Sequence, residues 1–396
     1  MKYVVLVPDG AADYPLDELG GKTPLQAANL PHMDRLAGEG AGGLVQIIPP
    51  TRPPGSDIGN LEIFGYDTRV HYTGRAPLEA ASMGVELGPG ELAFRCNLIN
   101  RDGDTLVDYS AGHISTEEAH DLIGAVGAAL AAEDVRFYPG VQYRHLLVWA
   151  GQGEGQVSFP PHDIMGQSIK AHLPAGPGQE RIRQLMAAAG PVLAQAAVNK
   201  RRLEQGHLDA NAIWLWGSGR ALQVDSLEKR YGLRGGVISA VDLVRGIGRC
   251  ADMDIIEVPG ITGYLDTNYR GKAEYALAAL ERYDLVYVHV EAPDEAGHNG
   301  DAQAKCQALE DFDAQVVGTL LEGLDKVGPC RLLMTPDHRT PITLRTHSRE
   351  PVPFVLWGPG IAADGLRAYD EEAAAAGSLQ VEHGHQLMDR LVEAVS

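Results

Sequence analysis

At 396 residues the chain is too long for one ordinary hydrophobic core, so two domains are expected. Its composition, 44% hydrophobic and 22% charged, is that of a globular protein. A formal net charge of −20 argues against nucleic acid or an anionic membrane as partner, while a small anionic substrate stays open because bound cations can make a site locally positive.

The chain opens on Lys2-Tyr3-Val4-Val5-Leu6-Val7, which reads as a strand and is too short for a signal-peptide core. No apolar run approaches the roughly 18 residues of a membrane span. Cys96, Cys250, Cys306 and Cys330 are scattered without a C-x-x-C pair, as expected of reduced thiols in the cytoplasm. After Val7 come Pro8-Asp9-Gly10, then a helix over Leu30–Gly40 with Pro31 at its start. Pro53-Pro54-Gly55-Ser56-Asp57-Ile58-Gly59-Asn60-Leu61 follows: Gly55 gives freedom before Ser56, and the next residues can open a helix whose amides favour an anion. Taken alone, Ser56 reads better as a plain helix cap.

From about Leu87 to Asn211 the pattern changes to polar loops, a Gly-rich turn at 151–155, strands at Phe94–Ile99 and Leu146–Trp149, and helices near Leu122–Ala132 and Glu180–Val198. Buried-strand runs resume at Gly235–Ile238, Leu285–Val290, Arg331–Thr335 and Val352–Leu356. Helices are expected at Val241–Ile247, Lys272–Tyr283, Asp301–Leu324 and Val381–Val395. The expectation is an α/β core built on a mostly parallel sheet with helices on both faces, over 1–86 and 212–396, and a smaller α/β domain inserted at 87–211.

Several core strands run straight into Asp/His clusters: Asp9 after Val7, Asp294 and His298 after Val290, Asp337 and His338 after Thr335, with His347 just before Val352. Ligands of open α/β sheets bind beyond the carboxyl ends of the strands, so the clusters can converge. Each alone reads as a cap or turn residue. Together, Asp and His without Cys suit divalent zinc, manganese or cobalt. The spacing of Asp294 and His298 puts both on one side of a helical turn. A serine hydroxyl needs a base or a metal to become a good nucleophile, and this set can supply the metal.

These stretches, with Leu19-Gly20-Gly21-Lys22-Thr23-Pro24-Leu25, Tyr72-Thr73-Gly74-Arg75-Ala76-Pro77-Leu78-Glu79-Ala80, Asp266-Thr267-Asn268-Tyr269-Arg270-Gly271-Lys272 and Val288-His289-Val290-Glu291-Ala292-Pro293-Asp294-Glu295-Ala296-Gly297-His298, resemble the alkaline phosphatase superfamily. Within it the chain is similar to the shorter, archaeal-type branch of cofactor-independent phosphoglycerate mutases. The resemblance implies an alkaline-phosphatase-like core and two divalent ions, one held by Asp9, Ser56, Asp337 and His338, the other by Asp294, His298 and His347. It implies interconversion of 3-phosphoglycerate and 2-phosphoglycerate through a phosphoserine at Ser56. Arg75, Arg95, Arg144, His162 and Lys272 are the candidate substrate contacts, Asp163 the candidate general base, and 87–211 a lid hinged near Leu87 and Asn211.

Ile58-Gly59-Asn60 stands where many archaeal-type mutases carry a small polar residue, Ala and His. Val107-Asp108-Tyr109-Ser110-Ala111-Gly112-His113-Ile114 replaces an Arg-rich segment. Both features resemble a bacterial subgroup for which homoserine kinase has been proposed. The competing expectations are therefore a related phosphotransferase of that kind or a phosphomonoesterase. No G-x-x-x-x-G-K loop is present to hold a nucleotide.

Overall fold

Val4, Val5, Leu6 and Val7 are all fully buried, and consecutive buried residues in a strand require both faces to be covered. They lie in the Lys2–Pro8 strand, at the heart of an eight-stranded sheet in a computed structural model that describes residues 1–151, 155 and 157–393. The chain divides into two compact units, Met1–Tyr72 with Gln223–Ser396, and Thr73–Leu222.

In the first unit Lys2–Pro8 pairs in parallel with Leu285–Val290 on one side and Cys330–Met334 on the other. Gly235–Ile238 and then Asp254–Ile255 extend the parallel run beyond Leu285–Val290. Val352–Trp357 is antiparallel to both its neighbours, Cys330–Met334 and Ala41–Val45, and Leu379–Val381 closes that edge. Every strand expected for the core is in this sheet. The helix expected over Val381–Val395 starts only at Gln386, because Leu379–Val381 is recruited by Ala41–Val45; residues 394–396 lie outside the described residues. The helix expected over Asp301–Leu324 is interrupted by a wide π turn at Phe312–Val317.

The second unit is an antiparallel sheet centred on Leu92–Asp102, flanked by Arg144–Trp149 and Ala212–Gly219. Phe94, Cys96 and Leu98 alternate onto a core with Leu147 and Trp149, joined by Ile123 and Val126 of the Thr116–Leu130 helix and Leu185 and Ala189 of the Gln179–Gln195 helix. Ala93 and Leu146 face the other way and pack on Ala76 and Ala80 of the Ala76–Ser82 helix. That packing, and the pairing of Ala212–Gly219 with the central strand, put the division at 72/73 and 222/223 rather than 87 and 211. The expected Gly-rich turn lies partly outside the described residues.

Candidate active site

The carboxyl ends of the parallel strands of the first unit carry the acidic cluster. Asp9 follows Lys2–Pro8, the Ala292–Asn299 helix with Asp294 and His298 follows Leu285–Val290, and Asp337 and His338 follow Cys330–Met334. On its helix Asp294 reaches His298 four residues on, Oδ2 to Nε2 3.2 Å. His347 Nε2 is 3.5 Å from Asp294 Oδ1 and 2.9 Å from His298 Nε2. Ligand atoms of these three residues lie within 4.8 Å of one another, as do those of Asp9, Asp294 and His338.

Ser56 opens the Ser56–Ile63 helix, and its Oγ is 3.1 Å from His338 Nε2. This approach depends on Gly59: a Cβ there would lie 2.6 Å from the Asp337 carbonyl oxygen, so any side chain would push the helix away. Asp337 accepts from the Gly10 amide through Oδ1 and from Asn60 Nδ2 through Oδ2. His338 Nε2 is 3.5 Å from both Asp9 Oδ1 and Asp337 Oδ2.

The electrostatics are those of a site built for cations. Burial, and then the neighbouring charges of Asp337 and Asp294, push the Asp9 carboxyl well above the usual range. Its Oδ1 is buried and accepts no hydrogen bond among the described residues. Burial drives the imidazoles of His338 and His289 down to about 4, which keeps them neutral and able to donate lone pairs. Burial works against Asp294, but hydrogen bonds from His298 and His347 outweigh it and hold the carboxylate ionised. Crowded carboxylates, an orphaned oxygen and converging imidazole nitrogens fit divalent metal ions.

The five residues expected to meet substrate have different surroundings. Lys272, on the Tyr269–Ala279 helix, is fully buried and donates to the His289 carbonyl at 2.7 Å. Burial lowers its ammonium to about 8 against the opposing pull of Glu291. Its hydrogen bond holds the strand end at His289. In the second unit Glu79 is shared by Arg75 at 3.2 Å and Arg95 at 2.9 Å. Arg95 stacks on Trp216, with 4.3 Å from guanidinium carbon to ring centre, and burial lowers it to about 10. Arg144 stands opposite Asn97 in the sheet, and its buried Nε donates no hydrogen bond among the described residues. His162 packs edge-on against Trp216 and Tyr109, and beside it Asp163 is exposed, 3.6 Å from the His162 ring. Arg75, Arg95, Arg144 and His162 thus form one neighbourhood of the second unit.

A family model described as 2,3-bisphosphoglycerate-independent phosphoglycerate mutase matches residues 37–199. The chain is 54% identical to a Geobacter sulfurreducens protein named probable 2,3-bisphosphoglycerate-independent phosphoglycerate mutase, over 99% of this chain and 100% of that one. The chain belongs to this mutase family. It is 52% identical to mutase 2 of Methanothermobacter thermautotrophicus, over 99% of this chain and 98% of that one. Among solved structures it is similar to a Pyrococcus horikoshii protein (28% identical, TM-score 0.84, 99% of this chain and 96% of the other). It is also similar to the cofactor-independent phosphoglycerate mutase of Thermoplasma acidophilum (27% identical, TM-score 0.68, 100% of both chains). As a member of the mutase family the chain is an enzyme of the isomerase class.

Three supporting residues of this family member escaped the sequence reading. His289 Nε2 lies 3.1 Å from Asp9 Oδ2 and belongs with Asp9 and Asp337 to a third possible metal-holding group. The Thr340 hydroxyl contacts both Asp294 Oδ1 and His338 Nδ1. An ionised carboxylate can only accept, so Thr340 donates to Asp294 and accepts from His338 Nδ1–H. The His338 Nε2 lone pair is then left facing Ser56 and Asp9. Asn60 is the third. His289 stood in plain view within Val288-His289-Val290, but alternation along a buried strand gave no sign that its ring reaches Asp9.

Proposed function

We propose that the protein interconverts 3-phosphoglycerate and 2-phosphoglycerate through a phosphoserine at Ser56. The observation that carries this is the Ser56 hydroxyl at the head of a helix, 3.1 Å from His338 Nε2 and beside the Asp9–Asp337 cluster. The proposed cofactors are two divalent ions, manganese, zinc or cobalt, one held by Asp9, Ser56, Asp337 and His338 and the other by Asp294, His298 and His347. When bound they would supply the positive charge that favours a Ser56 alkoxide and screens the phosphoryl oxygens.

Ser56 Oγ attacks the phosphorus of 3-phosphoglycerate. The bond from phosphorus to Oγ forms as that to O3 breaks, and O3 takes a proton. The amides of the first turn after Ser56 favour the phosphate that now sits there. Glycerate reorients and the C2 hydroxyl loses its proton. O2 then attacks the phosphoserine, and the bond to Oγ breaks. Asp163, exposed beside His162, is the group proposed to carry the proton. Arg75, Arg95, Arg144 and His162 are proposed to hold the carboxylate and phosphate. Lys272, through its hydrogen bond to the His289 carbonyl, is proposed to steady the strand end that leads into Asp294.

The second unit is proposed to close as a lid, because the phosphoenzyme must meet glycerate before water. The membership of the chain in the mutase family favours this reading over a homoserine kinase or a phosphomonoesterase. The test is to supply the manganese-loaded protein with 3-phosphoglycerate and, separately, with homoserine and ATP. Formation of 2-phosphoglycerate without free phosphate supports the reading. Phosphohomoserine, or phosphate release alone, refutes it.

A further inference from the structure

Position 60 lies in the segment where this chain departs from many archaeal-type mutases, and a side chain there is readily taken for a substrate contact. The structure directs it elsewhere. Asn60 is fully buried on the Ser56–Ile63 helix. Its Nδ2 donates to the Ser56 carbonyl at 3.0 Å and to Asp337 Oδ2 at 2.8 Å. Its Oδ1 accepts from the Tyr287 hydroxyl at 2.8 Å. The orientation of the amide follows from chemistry: a carbonyl and a carboxylate only accept, so the nitrogen must face them and the oxygen must face the phenol. Tyr287 is itself fixed, fully buried on the Leu285–Val290 strand and stacked on Phe64 with ring centres 4.1 Å apart.

We propose that Asn60 is a positioning residue that sets the serine-bearing helix and the Asp337 carboxylate in register, with Tyr287 as its anchor. One amide touches the turn that carries the nucleophile and a carboxylate proposed to hold metal. A shift in either is therefore felt by the other. The close approach of Gly59 to Asp337 makes the same contact rigid, because the helix sits against the backbone of residue 337 with no side chain between. Groups that orient metal ligands typically change metal affinity by about 10- to 100-fold when removed. The inference rests on the proposed two-metal reading of the site.

The test uses full-length wild type, Asn60→Asp, Asn60→Leu and Tyr287→Phe, each stripped of metal and titrated calorimetrically with manganese, then assayed for mutase turnover. Asn60→Asp keeps an acceptor for Tyr287 and loses the donor to Asp337. Tyr287→Phe keeps the stacked ring and removes only the anchoring hydroxyl. The inference predicts that both Asn60 variants bind at least one manganese about tenfold more weakly or worse. It predicts that kcat falls while KM stays near wild type, with Tyr287→Phe shifted the same way by a smaller factor. Folded variants with wild-type manganese affinity overturn it, and so does a rise in KM alone, which would make residue 60 a substrate contact. If the Asn60 variants fail to fold, Tyr287→Phe decides by the same two readouts. A wild-type protein that binds no manganese, zinc or cobalt refutes the two-metal reading itself, a result distinct from variants that match a metal-binding wild type.

Discussion

His298 and His347 present their Nε2 atoms to each other across 2.9 Å, and each also faces an oxygen of Asp294. Two ring nitrogens and a carboxylate converging in this way can all be satisfied at once by one divalent cation. Chelation is therefore expected to abolish activity, and manganese, cobalt or zinc to restore it. His347→Ala is expected to lower the bound metal by about one ion per chain, measured by elemental analysis after gel filtration. Full activity in excess chelator contradicts this.

Thr340 links the two halves of the cluster through one hydroxyl, donating to Asp294 and accepting from His338. Lys305, fully buried and paired with Asp13 at 2.8 Å, holds the Thr340 carbonyl in place at 2.9 Å. Thr340→Val keeps the shape but leaves His338 Nδ1 without an acceptor, at a cost of about 1–3 kcal/mol. Metal affinity is expected to fall roughly tenfold or more, with Thr340→Ser restoring most of it. Equal metal binding by the valine and serine variants would remove the linking role.

In the second unit, burial pushes His145 down to about 3, and its Nδ1 accepts from the Gly140 amide. The folded value lies below the usual value of about 6.5, so between the two the unfolded chain binds the extra proton. Stability is accordingly full at neutral pH and is lost as the pH falls below about 6.5, by up to about 1.4 kcal/mol per pH unit. Thermal melts of wild type between pH 7 and 5 should show this slope. His145→Asn, which keeps an acceptor for Gly140, should reduce it by up to that amount.

Arg144 has a buried Nε that donates no hydrogen bond among the described residues, and no carboxylate is paired with it there, which leaves it suited to an anion. A hydrogen bond to a charged group contributes about 1.5–3 kcal/mol, so Arg144→Ala should raise KM for 3-phosphoglycerate by roughly 10- to 100-fold. Arg95→Ala should in addition lower the melting temperature, since it leaves Glu79 with Arg75 alone and uncovers Trp216. Steady-state kinetics on both variants separates the two roles.

Much of this was legible from local signals. Strand ends running into Asp9, Asp294 and Asp337 located the cluster, and the i,i+4 spacing of Asp294 and His298 survived folding as a shared helix face. What stayed hidden depends on distant partners. Ala41–Val45, with two glycines in five residues, has little strand propensity, yet a Cβ at Gly43 would lie 1.6 Å from the Leu379 carbonyl oxygen, so only glycine lets these strands pair. The unit boundary was misplaced because the Ala76–Ser82 helix declares its allegiance only through packing on Ala93 and Leu146. Lys272 read only as a candidate substrate contact, because its sequence gives no sign of the His289 carbonyl 17 residues away. Asn60 and Thr340 carry no local signature, since the partners that give them a role, Asp337 and Tyr287 for one and Asp294 for the other, are far away in sequence.

The central claim is that phosphate passes through Ser56. The most direct measurement is mass spectrometry of the protein quenched during turnover with 3-phosphoglycerate, followed by peptide mapping. Phosphate should appear on Ser56 in the wild type and be absent from Ser56→Ala, which should fold normally and lose turnover by several orders of magnitude. A Ser56→Ala protein with normal turnover, or a wild type at full turnover with no phosphate on Ser56, would contradict the account.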